Sequence, residues 1–227
     1  MKKVLKIVLF LSLALVLSGA LVACGSEDAQ HSEDVTEDAT RNEVETALTE
    51  ALGEEPADLW EGDMPRVKIE IADFGDVVVE LNESAAPQTV ENFLKLVNEG
   101  FYNGTGFHRI IDGFMIQGGD PEGTGMGGAS ENIQGEFANN GVENPIRHAR
   151  GVISMARSGD PNSASSQFFI MHQDGFFLDG DYAAFGRVVE GMDVVDAIAT
   201  GTPAEPGSGA VERENHPIMT SVTVVEE

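Results

Sequence analysis

A chain of 227 residues is long enough for one domain of ordinary size with appendages. Its 13 Lys and Arg against 39 Asp and Glu leave a formal charge of −26, which argues against nucleic acid as a partner because phosphate binding needs a basic face. The single cysteine excludes an internal disulfide.

The first predicted element is an address. Lys2, Lys3 and Lys6 precede an uncharged apolar run from Ile7 to Ala23, the layout of an export signal occupying residues 1–23. The run is close to the ~17–25 residues that span a bilayer, so an uncleaved anchor is the alternative. Leu21-Val22-Ala23-Cys24 favours cleavage, because it resembles the lipobox of bacterial lipoproteins. That resemblance implies removal of the signal before Cys24 and a lipid on its thiol, which holds a protein to a membrane without spanning it. The expected location is therefore extracytoplasmic, lipid-anchored to the cell membrane. Ser26 after Gly25 also permits an outer membrane where a cell has two.

Residues 24–63 follow as the lipidated cysteine and a spacer. From Gly25 to Asp63 there are 14 acids and one base, Arg41, and too little apolar surface to offset the ordering of the chain. The expectation is a self-repelling, mostly disordered tether, with a weak helix around Val44, Ala47, Leu48, Ala51 and Leu52.

Residues 64–227 form the domain. Val67, Ile69 and Ile71 alternate with Lys68 and Glu70, and the alternation resumes at Val77, Val79 and Leu81 after Asp73-Phe74-Gly75-Asp76. This predicts a β-hairpin with one buried face. Pro87 suits the start of a helix, Val90, Phe93, Leu94 and Val97 recur at helical spacing, and Gly100 stands where the helix should stop. Short apolar stretches at 106–111, 114–118, 152–156, 167–172 and 183–188 are separated by Gly, Asn, Asp and Pro, as in a barrel or sandwich. Met192, Val195, Ile198 and Ala199 allow a second short helix, and 218–225 alternates again as a closing strand.

Three chemistries lack their residues. Gly123-Thr124-Gly125-Met126-Gly127-Gly128 matches a dinucleotide fingerprint literally, but no helical periodicity follows it. His31, His108, His148, His172 and His216 show no ligand-like spacing, so no metal site is expected. Ser163, Ser165 and Ser166 lie in no nucleophile elbow.

The run Phe107-His108-Arg109-Ile110-Ile111-Asp112-Gly113-Phe114-Met115-Ile116-Gln117-Gly118-Gly119-Asp120 resembles the signature segment of the cyclophilins. Gly151-Val152-Ile153-Ser154-Met155-Ala156-Arg157, Ser165-Ser166-Gln167-Phe168-Phe169-Ile170, Phe177-Leu178-Asp179-Gly180 and Phe185-Gly186-Arg187-Val188 are similar to the rest of that family's active face. The resemblance implies a mainly β fold, a closed eight-stranded antiparallel barrel capped by two α-helices. It implies a monomeric peptidyl-prolyl cis/trans isomerase without cofactor, assisting the folding of exported proteins by acting on proline-containing segments.

The reaction moves no proton. An X-Pro bond rotates over a barrier of ~18–20 kcal/mol because amide resonance makes C–N partly double. A donor aimed at the prolyl nitrogen helps selectively, since lone-pair density gathers there only as the bond twists. The resemblance gives that role to Arg109, with Phe114 and Gln117 as its catalytic companions. It assigns Phe114, Met115, Phe169 and Leu178 to the proline pocket, and His108, Ala156, Arg157, Gln167, Phe177 and Tyr182 to the rest of the peptide site. Phe168 and Phe169 are adjacent in a predicted strand and so point to opposite faces, one to the core and one to the groove.

The chain departs from the common pattern in three places. Phe177 stands where many members carry Trp, which removes an indole N–H and implies weakened binding of cyclosporin. Tyr182 replaces a frequent His, and Arg157 a frequent Asn at a position that works largely through its backbone. The competing expectation is a non-catalytic module that grips proline segments as a chaperone or scaffold.

Overall fold

The computed structural model describes residue 56 and residues 58–225. The export segment, the Cys24 lipidation point and most of the acidic spacer, including its weak helix, lie outside the described residues. Among the described residues no helix is long and apolar enough to cross a membrane.

The hairpin forms where the alternation places it. Strands β1 (Arg66–Ile71) and β2 (Gly75–Leu81) pair antiparallel with Val67 opposite Val79 and Ile69 opposite Val77, all buried. Asp73 closes the turn in the left-handed region at φ 66°, a conformation that Asp tolerates better than most residues. Helix α1 (Pro87–Asn98) begins on its proline and ends before Gly100, which takes φ +68°. Its buried face is Thr89, Val90, Phe93, Leu96 and Val97. Leu94, expected on that face, is only partly buried, because it lies on the flank and lines a groove with Pro65, Val222 and Val224.

The first turn of α1 exposes backbone N–H groups that its own residues do not cap. Glu136, from a loop 47 residues away, supplies the acceptor: its carboxylate receives Gln88 N at 3.1 Å, Thr89 N at 2.8 Å and Thr89 Oγ1 at 2.7 Å. Behind the helix, Phe93, Tyr102, Phe168 and Phe185 pack ring against ring with centroids 5.1–5.6 Å apart. The Tyr102 hydroxyl donates to the Ser166 carbonyl at 3.1 Å, and complete burial raises its pKa far above the phenolic range.

The remaining strands are β3 (Arg109–Ile111), β4 (Met115–Gly118), β5 (Val152–Met155), β6 (Phe168–Met171), β7 (Ala184–Glu190) and β8 (Met219–Val224). Helix α2 (Met192–Gly201) packs against β2, β3 and β4. All eight strands join one antiparallel sheet in the order β3-β4-β6-β5-β7-β2-β1-β8.

That sheet is an open half-barrel, which corrects the expected closed barrel. No ladder joins β3 to β8. Irregular backbone fills the gap: Gly104 N donates to Met219 O at 2.8 Å, Met219 N to Thr105 O at 2.9 Å, and Phe107 N to Pro217 O at 3.0 Å. Strand β3 is too short, at 3 residues, to extend a ladder. Its outer edge is also taken by residues 209–211, with Ile110 N donating to Gly209 O at 2.7 Å and Val211 N to His108 O at 3.0 Å. Gly209 permits this approach, since a Cβ there would lie 2.5 Å from the Ile111 side chain and 2.6 Å from Ile110 O.

Side chains alternate across β4, β5 and β6. Ile116, Ile153, Met155, Phe168 and Ile170 enter the main core, while Met115, Val152, Phe169 and Met171 join a second apolar cluster on the other face. Leu59 belongs to that second cluster, and its carbonyl accepts from Asn82 Nδ2 at 2.6 Å. Trp60 packs at the cluster's edge, with the Arg187 guanidinium 4.3 Å from its ring centroid.

Candidate active site

Pairing register assembles the site. Arg109 of β3 lies opposite Gln117 of β4, Gln117 opposite Phe169 of β6, and Phe169 opposite Ser154 of β5. Cross-strand partners share one face and neighbouring strands lie about 4.8 Å apart, so a guanidinium, an amide, a ring and a hydroxyl form one row. Ile111, Met115 and Met171 form the next.

Arg109 is held on two branches. Its Nε donates to Ser208 O at 3.1 Å and its Nη1 to Gln117 Oε1 at 3.3 Å, with Met115 Sδ 3.9 Å away. Among the described residues its Nη2 takes no partner. Gln117 Nε2 donates onward to Gln167 Oε1 at 2.9 Å, and Gln167 Nε2 donates to the carbonyls of Gly125 at 3.1 Å and Gly127 at 2.7 Å. Each amide must present its oxygen to the previous donor because its own NH2 is used by the next acceptor, so the chain of three side chains has one orientation.

The apolar wall lies beside this polar row. Met115, Phe169 and Leu178 are buried in the second cluster, and Phe114, Ala156 and Tyr182 pack at its edge. Phe177 is 72% exposed and leans over Phe114 with ring centroids 5.4 Å apart. Tyr182 meets Phe169 edge-on at 5.8 Å. The Arg157 guanidinium lies 4.8 Å from the Tyr182 ring and 5.1 Å from the Phe137 ring, and Nε donates to Asp181 O at 2.8 Å. Backbone ties the same stretch to the site, since Ala156 N donates to Gln167 O at 2.9 Å.

His108 stands apart from the other predicted residues. It is 7% exposed, its ring lies under Gly125, and neither ring nitrogen has a hydrogen-bond partner among the described residues. Burial pushes the imidazole below its ordinary pKa and outweighs the nearby Asp120 carboxylate, so the ring stays neutral.

Several supports were not anticipated. His148 is 1% exposed and stacks on Phe169 with centroids 6.0 Å apart, its Nδ1 2.8 Å from Asp179 Oδ1 and its Nε2 2.9 Å from Ser154 Oγ. That is a Ser-His-Asp arrangement, yet Ser154 is fully buried and no acyl group can reach its oxygen. Asp120 receives the backbone N–H groups of Glu122, Thr124, Gly125 and Gly127 at 2.6–3.2 Å. Here the literal dinucleotide fingerprint follows β4 but opens no helix, and its glycines fold around one carboxylate. An Asp ahead of a glycine-rich run is a local turn signal that could have revealed this. Nothing local could have revealed Ser208, 99 residues beyond Arg109. Among the described residues no group of three or more His, Cys, Asp or Glu is placed to hold a metal ion.

Residues 66–224 match the family model described as cyclophilin type peptidyl-prolyl cis-trans isomerase. A probable peptidyl-prolyl cis-trans isomerase of Brucella suis is 46% identical over 146 residues, covering 59% of this chain and 71% of its own. A peptidyl-prolyl cis-trans isomerase of Arabidopsis thaliana is 47% identical over 135 residues, covering 59% of this chain and 82% of its own. The crystal structure of a Cryptosporidium parvum cyclophilin-type isomerase superposes with a TM-score of 0.64 at 32% identity, over 73% of this chain and 99% of that one. The same protein solved in the presence of the dipeptide Ala-Pro gives 0.63, also at 32% identity, over 71% and 99%.

Proposed function

The chain belongs to the cyclophilin-type peptidyl-prolyl cis-trans isomerases and is an isomerase, and we propose that Arg109 is the donor that lowers its rotation barrier. The observation that carries this reading is the Arg109–Gln117–Phe169 row, which sets an anchored guanidinium beside an apolar wall. A proline ring resting on Met115, Phe169 and Leu178 brings its nitrogen within reach of Nη2. As the C–N bond twists, the nitrogen pyramidalises and its lone pair becomes an acceptor. The planar amide offers no such acceptor, so the bond forms mainly in the transition state. Gln117, whose Nε2 has a second hydrogen beside the one given to Gln167, and the backbone at Arg157 hold the preceding carbonyl while the other end turns. The relative solved with Ala-Pro supports a proline peptide as the ligand.

The lipobox-like Cys24 and the acidic spacer support an extracytoplasmic, lipid-anchored enzyme that works on proline segments of exported proteins. The row is built from strands of one chain, so a monomer suffices. Phe177 offers a ring and no N–H, which supports weak cyclosporin binding.

The test is a protease-coupled proline-peptide assay on wild type and Arg109→Ala. The variant should lose about 10²–10³ in kcat, the usual cost of deleting one preorganised donor. Equal rates would defeat the role given to Arg109. Peptide binding without isomerisation by the wild type would favour the non-catalytic module.

A further inference from the structure

We propose that His172 is a positioning residue for the proline pocket, acting through the β3–β4 turn that carries Phe114. The proposal rests on the isomerase reading for its effect on catalysis, and on geometry for the positioning itself. His172 follows β6, and its backbone N–H donates to Phe114 O at 2.8 Å. Its ring then reaches around to the same turn, where Nδ1 accepts the Gly113 N–H at 3.0 Å. The other nitrogen, Nε2, lies 3.2 Å from Asp196 Oδ1 on α2. The side chain is 7% exposed, so water competes little for these bonds.

The chemistry allows one assignment. A backbone N–H can only donate, so Nδ1 must carry a lone pair, the ring proton sits on Nε2, and Asp196 receives it. Asp112 Oδ1, 3.4 Å from Nδ1, is then a neighbour and not a partner. Arg150 completes the clamp, donating to His172 O at 2.6 Å and gripping Asp196 with both Nη atoms at 2.7 and 2.8 Å. The turn needs this hold, because β3 has only 3 residues and lies at the end of the sheet. One residue therefore holds both members of the Gly113–Phe114 pair: its backbone N–H holds Phe114, and its imidazole joins Gly113 to Asp196 on α2. The ring of Phe114 is what stands under Phe177 and against the Met115 and Phe169 cluster. His172 touches no reacting atom and belongs to the support of the pocket.

Three substitutions test it, because their side chains differ in where an acceptor lies. His172→Asn puts an amide oxygen near the Nδ1 position, His172→Gln puts its amide near Nε2, and His172→Leu offers neither. The leucine variant should raise KM about tenfold with kcat within about twofold, the size expected when a binding ring is displaced by a fraction of an ångström. Its Phe114 and Phe177 ring-proton NMR shifts should move, while His172→Asn keeps both KM and shifts. Wild-type KM and shifts in a folded leucine variant would overturn the proposal, as would an asparagine variant that loses as much as leucine. If the leucine variant does not fold, glutamine replaces it and should show the rise in KM that asparagine does not. The NMR shifts need no turnover, and Arg109→Ala in the same assay reports on kcat. Failure of the isomerase reading is thus distinguishable from failure of the positioning role.

Discussion

Replacing Arg109 with Lys separates the geometry of the guanidinium from its charge. Two anchors, Nε to Ser208 O at 3.1 Å and Nη1 to Gln117 Oε1 at 3.3 Å, fix the plane in which Nη2 lies. Lysine has a single terminal nitrogen and no Nε, so it can keep at most one of these anchors while also facing the prolyl nitrogen. Its stem regains rotamer freedom worth about 2 kcal/mol, which must be lost again in the transition state. The charge survives, so this ordering cost is the main loss. At about 1.4 kcal/mol per decade it lowers kcat roughly 30-fold, between wild type and the 10²–10³ expected for Arg109→Ala. The assay is protease-coupled isomerisation near ~10 °C, where the uncatalysed background takes minutes. A lysine variant within about twofold of wild type would refute a role for the fork and leave charge as sufficient. One as inactive as alanine would show that ordering the lysine stem is not the main loss.

Two further outcomes concern what holds the site's scaffold together. Glu136→Ala should cost about 3 kcal/mol of unfolding free energy by urea titration, because it strands two N–H groups and a hydroxyl in the first turn of α1, where Thr89 is buried; a change under about 1 kcal/mol would show that water replaces the carboxylate. For Asp120, burial alone would raise the carboxyl pKa, but the N–H groups of Glu122, Thr124, Gly127 and Gly125 outweigh it and hold the pKa below the ordinary value. The folded form thus binds its proton later than the unfolded chain, so this stabilisation is complete above the usual carboxylate pKa and is lost as pH falls through the depressed one. The stability gap between wild type and Asp120→Asn should accordingly be largest near neutrality and close in strong acid, and a gap that widens on acidification would reverse that sign.

Much of the fold follows from periodicity visible in the residues themselves. Alternation at 67–71 and 77–81 gives β1 and β2, and Pro87 with Gly100 brackets α1 to within two residues. Parity also separates Phe168, which enters the core, from Phe169, which faces the groove. Closure of the sheet was not legible, because alternation records which residues are buried and not which strand edges meet. Leu96, three residues after Phe93, joins the buried face of α1 at a spacing the residues do show. The resemblance supplied the side chains of the site, yet their supports come from far along the chain. Glu136 reaches α1 over 47 residues and Gln167 reaches Gln117 over 50.

Register is what turns those residues into a site, and at β3 register is vulnerable. A slip of one residue would send Arg109 to the core face and Ile110 to the groove. A strand of 3 residues gains little from its own ladder with β4, so something must pin it. The segment 208–211 does so from the open side, through Ile110 N to Gly209 O and Val211 N to His108 O. The same segment presents the Ser208 carbonyl to Arg109 Nε. Covering an exposed strand edge and orienting the guanidinium are therefore one structural act. It depends on a glycine at 209, where any side chain would collide with Ile110 and Ile111. The open edge of the half-barrel is thus where Arg109 is set: a closing strand would pair with β3 backbone, whereas a loop can pair with it and still turn a carbonyl toward the side chain.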